Sequence, residues 1–170
     1  MNNENETLKA AILSLGGLMS EKVNIADHYS EPQRHYHTLQ HINECLVLLK
    51  QFESLADNLD EVTVALIMHD FVYDPRAKNN SGIKRQSILN VYQHIMATAT
   101  HAYVDNSDTC LVMDIDMLIL AADEPRLVEY ESQIRQEYSH VPGFIYKYKR
   151  KAVLRGFLKQ KVIYYVPEIS

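Results

Sequence analysis

Apolar residues recur three and four positions apart along most of this chain, the period of a helix with one buried face. Leu8, Ala11, Ile12, Leu15, Leu18 and Met19 mark a first helix over about 6–26. Ser30-Glu31-Pro32 breaks that pattern, and Leu39, Ile42, Leu46 and Leu49 stripe a second helix over about 37–55. The apolar stretch 61–70 fits strand or helix by periodicity alone, and its flanks favour helix. After Tyr73-Asp74-Pro75 the segment 76–82 reads as a polar loop. Further helices are predicted over about 83–101, 107–122, 125–138 with Pro125 at its start, and 144–160. No segment keeps the strict alternation of a half-buried strand, so the fold class expected is all-α.

Composition narrows this picture. The chain has 170 residues, 46% of them hydrophobic and 23% charged, which suits a single domain over 1–170 able to bury one core without disulfides. The net charge of -5 comes without a Lys/Arg stripe, so no nucleic-acid polymer is expected as a partner. The most basic run, 147–155, is interleaved with Tyr148, Val153 and Leu154 and reads as a solvated C-terminal helix. Cys45 and Cys110 form no CxxC pair and read as buried free thiols. The N-terminus lacks an apolar leader core and no apolar run is long enough to span a bilayer, so no membrane partner and a cytoplasmic setting are expected. Tyr148, Phe157, Tyr164 and Tyr165 fit either an exposed dimer surface or core, core being favoured, which leaves monomer and homodimer open.

Chemistry enters through placement. His37 and His41 lie four apart, on one face of the predicted second helix, where two imidazoles can point at one spot or merely cap and pack. His69-Asp70 ends an apolar run in which a buried charge needs a partner, most simply a cation. Neighbouring helical positions diverge by about a hundred degrees, so both residues can reach one ion only near a helix end or distortion. Asp114 and Asp116 likewise interrupt a helix that is apolar nearly all round. Asp116 with His41, His69 and Asp70 offers two nitrogens and two carboxylates, a donor set for one divalent Mn, Fe, Co, Ni or Zn more than for Mg or Ca.

Tyr36-His37-Thr38-Leu39-Gln40-His41, His69-Asp70 and Asp116 resemble the H…HD…D signature of the HD superfamily of metal-dependent phosphohydrolases. Arg34-His35-Tyr36-His37, His69-Asp70-Phe71-Val72-Tyr73-Asp74, Asp114-Ile115-Asp116 and Ile134-Arg135-Gln136-Glu137-Tyr138 are similar to its small stand-alone bacterial branch, over about 31–160. The resemblance implies a compact HD-domain bundle of about six to eight helices. It implies His41, His69, Asp70 and Asp116 as metal ligands, and hydrolysis of a small phosphorylated molecule such as a nucleotide. The Tyr-His-x-x-x-His segment also resembles cyclic-nucleotide phosphodiesterases, which implies His37 as general acid, with a structural His37 as the alternative; Asp70 or Asp116 would orient the attacking water.

Around this set, His101 faces the pocket to bind phosphate or a second ion, or else only caps its helix. Arg34 and Lys84 are candidates for gripping an anionic substrate, while Arg135 and Arg150 are expected to pair with Glu131 or Glu137. One departure matters: relatives carry Asn-Glu where Ile83-Lys84 precede Ser87, which weakens the case for a second metal, although Asp74 offers a substitute acid. A non-catalytic metal- or nucleotide-binding module and a di-iron oxygenase stand as the alternative functions.

Overall fold

The protein's backbone is organised by helix signals that work locally. In a computed structural model describing residues 11, 25–71 and 89–169, the described residues form seven α-helices with two 3-10 turns and no strand. Helix α1 spans Ile25–His28, α2 Leu39–Phe52, α3 Leu59–Met68, α4 Leu89–Thr98, α5 Ser107–Met117, α6 Glu124–Glu137 and α7 Gly143–Lys159. The expected first helix falls almost wholly outside the described residues, as do the loop 76–82, Asp74, Ile83 and Lys84.

Polar side chains start these helices. Thr38 caps α2 by accepting from the Gln40 N–H, Asn58 caps α3, Asn106 caps α5, and Asp123 caps α6 with Pro125 in its first turn. Each cap satisfies a main-chain donor that the helix itself leaves unpaired. The second helix therefore begins at Leu39, two residues later than the periodicity predicts, and His37 lies in the segment before it. The helix expected over 107–122 stops at Met117 and continues as a 3-10 turn, Leu118–Ala121.

The core forms where four apolar stripes meet. Cys45 and Leu49 of α2, Val62, Ala65 and Leu66 of α3, Val91 and Ile95 of α4, and Leu111, Val112 and Ile115 of α5 make one buried cluster. Helix α5 is its axis: Leu111, Val112, Met113, Asp114 and Ile115 are all at most 1% exposed. A second cluster joins Ile25 and Tyr29 to Ile42, Leu46 and Ile67. On the other side Tyr36 stacks edge-on against Tyr130, which brings α6 against the start of α2.

The C-terminal helix α7 buries no residue, in keeping with its basic composition. Tyr148 is 79% exposed, against its expected place in the core, because it lies on the outer face of that helix. Phe157, Tyr164 and Tyr165 are half-buried. Both cysteines are buried free thiols, as expected, and burial raises the pKa of each. No helix among the described residues is long and apolar enough to cross a membrane.

Candidate metal centre

Two helices end at the same place. Met68 closes α3, so His69 takes the C-cap position and Asp70 follows outside the helix, which releases the two side chains from diverging helical directions. Asp116 sits in the last turn of α5. His41 reaches in from the first turn of α2. Two helix C-termini, each with its partial negative charge, thus face one spot, a local field that favours a cation.

The donor atoms converge closely. His41 Nε2 lies 3.2 Å from His69 Nε2 and 3.2 Å from Asp116 Oδ1, and His69 Nε2 lies 3.3 Å from that same oxygen. Asp70 Oδ2 is 3.0 Å from His69 Nε2 and 3.7 Å from His41 Nε2. Ligands around one ion at about 2.1 Å stand about 3.0 Å apart at right angles and about 3.4 Å apart in a tetrahedron. The His41, His69 and Asp70 donors form a group able to hold a metal ion, and Asp116 Oδ1 adds a fourth atom at matching separation.

The neighbours prepare these groups. His69 Nδ1 donates to the Leu66 carbonyl at 2.9 Å, which leaves the lone pair of Nε2 directed at the cluster. The two imidazoles are nearly sealed, with side chains 3% and 2% exposed, while Asp70 and Asp116 keep 17% and 16%. For His69, Asp70 and Asp116 burial opposes the charge, yet the attraction of the facing groups wins. His69 is raised well above its ordinary value by Asp70 and Asp116, and both carboxyls are held below theirs by the facing histidines. A proton and a cation compete here for the same lone pairs.

His37 stands beside the cluster, its Nε2 3.9 Å from Asp70 Oδ2. It does not share a helical face with His41; it approaches from the preceding segment, held there by Glu137. One oxygen of Glu137 accepts the consecutive main-chain N–H groups of His35, Tyr36 and His37 at 2.8, 2.8 and 3.0 Å. Its other oxygen meets His37 Nδ1 at 2.7 Å. Burial lowers the His37 pKa, but Asp70 and the Glu137 contact outweigh it and raise it above the ordinary histidine value. Sequence reasoning missed this role for Glu137; the signal was its place in the Ile134-Arg135-Gln136-Glu137-Tyr138 motif.

The other candidates divide. His101 Nε2 lies 3.5 Å from Asp116 Oδ2, so the imidazole faces the cluster, and its Nδ1 is buried without a hydrogen-bond partner among the described residues. It is the one non-glycine residue with positive φ among those described, at 48°. Arg34 is a clasp, contrary to the expectation that it grips substrate. Its side chain is fully buried, bonded to Glu31 and to the carbonyls of His37, Asp70 and Phe71, which ties the two site segments together. Asp114 turns away, accepting the Val166 N–H. Arg150 pairs with Glu131 as expected, whereas Arg135 binds the Tyr138 and Val141 carbonyls. Lys84 lies outside the described residues.

No family model, curated protein or solved structure matches this chain.

Proposed function

We propose that the protein is a metal-dependent hydrolase of HD type acting on a phosphate ester, with His41, His69, Asp70 and Asp116 holding one divalent transition metal. The observation that carries this reading is the convergence of two imidazole nitrogens and two carboxylate oxygens with a further histidine at the rim. Two nitrogens and two oxygens suit Mn, Fe, Co, Ni or Zn. When bound, the cation lowers the pKa of water and neutralises charge on a phosphate.

The protein's own groups do the rest. Glu137 accepts from the His37 Nδ1–H and so turns Nε2 toward the site, where the doubly protonated imidazole can pass its Nε2 proton to a departing alkoxide. Asp70 lies close to that nitrogen and can orient the attacking water. His101, beside the outer oxygen of Asp116, is placed to meet a substrate oxygen or a second cation.

The test is elemental analysis followed by phosphatase and phosphodiesterase assays with Mn, Co, Ni, Zn and Mg supplied separately. Turnover that requires a transition metal and is abolished in His69→Ala sustains the proposal. Bound metal without turnover on any ester points to a binding or sensing module, and two ions per chain with oxygen uptake point to an oxygenase.

A further inference from the structure

Beside the metal cluster lies a cavity of about 590 Å³, and His41 and Asp116 are part of its wall. That volume is in the range that receives a small molecule or a large part of one. Most of the remaining wall is apolar: Val47 and Leu48 of α2, Ile115 of α5, Leu118 and Ile119 of the 3-10 turn, and Ala122.

The charged groups of the cavity are Glu44 and Arg126 besides the two shared residues, and they neutralise one another. Arg126 Nε and Nη2 donate to the two oxygens of Glu44 at 2.8 and 2.9 Å, and Nη1 turns to Gln133 and Glu129. The amide nitrogens are also turned inward on the protein, Gln40 to Glu44 and Asn43 to the Leu39 carbonyl, while Asn43 Oδ1 and the Tyr36 hydroxyl are buried beneath the wall with no partner among the described residues. Among the described residues no cation is left in this wall for a phosphate, and two buried polar atoms are too few to replace the water around a row of hydroxyls.

We infer that this cavity is the subsite for the uncharged half of the substrate, and that this half is an apolar aryl or alkyl group and not a polyol. The inference rests on the proposed hydrolase reading and adds an orientation to it. The phosphate end meets the histidine and aspartate cluster, and the alcohol end lies between α2 and the 3-10 turn.

The experiment uses the full chain with its metal. Binding of 2-naphthol is followed by its fluorescence, and kcat/KM is compared for 2-naphthyl phosphate and glycerol 3-phosphate. Two variants probe the cavity: Ala122→Phe fills it, and Val47→Glu places a charge at its mouth, where a residue already 54% exposed tolerates replacement. The expected result is naphthol binding that weakens about tenfold or more in each variant, with metal content unchanged, and preference for the naphthyl ester. Naphthol binding that both variants weaken, without turnover of either ester, sustains the subsite and leaves the hydrolase reading to the wider ester assays. Turnover that favours the glycerol ester, absent naphthol binding, or binding indifferent to both variants overturns the inference while leaving metal-dependent hydrolysis to stand or fall on its own assays.

Discussion

At the scale of single residues, the informative side chains are those held where chemistry costs stability. His101 adopts a left-handed backbone conformation that glycine would take without strain. His101→Gly is therefore expected to leave the denaturation midpoint unchanged or raised, with stability shifting by no more than about 1 kcal/mol against the wild type. The same variant should lose hydrolytic activity if the imidazole beside Asp116 serves the site; full activity would reduce His101 to a helix terminator. Glu137 gives a second prediction. Its carboxyl is held down from 4.5 to about 2, against the opposing effect of burial, by the His37 imidazole and the main-chain donors of His35 and His37. A depressed acid stabilises the fold above its unfolded pKa, so this contribution is complete above pH 4.5 and is lost as pH falls toward 2. Glu137→Gln should flatten that acid limb in a urea titration against pH, and should shift the pH profile of kcat through His37.

At the scale of elements, the ends of helices matter more than their middles. The apolar stripes of α2, α3 and α5 were legible from spacing, because a 3.6-residue period is a local property. That α3 ends at Met68 was not, although it resolves how His69 and Asp70 reach one point. The axial helix α5 carries two acids with opposite fates: Asp116 faces the histidines, while Asp114, 1% exposed, holds the C-terminal tail through the Val166 N–H. Replacing Asp114 by Ala removes the carboxylate that accepts the Val166 N–H, at about 1–3 kcal/mol. Amide exchange should speed up at Val166 and Ile169 before it does in α5. Uniform exchange across the chain would show that the tail is not separately anchored by this contact.

At the scale of the whole molecule, the cluster joins α2, α3 and α5 at one end of the core and so links metal occupancy to folding. A metal binding only the folded state adds RT ln(1 + [L]/Kd), about 2.7 kcal/mol at a hundredfold excess over Kd. The melting temperature should rise with Mn, Co, Ni or Zn, and His41→Ala or Asp116→Ala should abolish the rise. The sign with pH follows from His69. In the metal-free protein its raised pKa contributes stability below the unfolded histidine value of 6.5, lost as pH rises through the folded value. Because the ligand must be neutral, metal binding should release a proton near neutral pH, and the metal-induced stabilisation should grow as pH rises. Indicator-dye titration on metal addition measures that proton directly.

The amino-acid sequence by itself determined the helical class, the buried faces and the caps, since period, Pro and short polar side chains act over a few residues. It also marked which acids and imidazoles had to find partners, because an ionisable group inside an apolar run cannot stay unpaired. Which partner each one found was decided only by tertiary structure. His41 meets His69 across 28 positions, Val166 reaches Asp114 across 52, and Glu137 holds His37 across 100. Arg34 shows the same division: its charge and its nearness to His37 were plain in the chain, but the carbonyls of Asp70 and Phe71 that it binds lie just beyond the end of α3. Periodicity reports which face turns inward; it carries no information about what waits there.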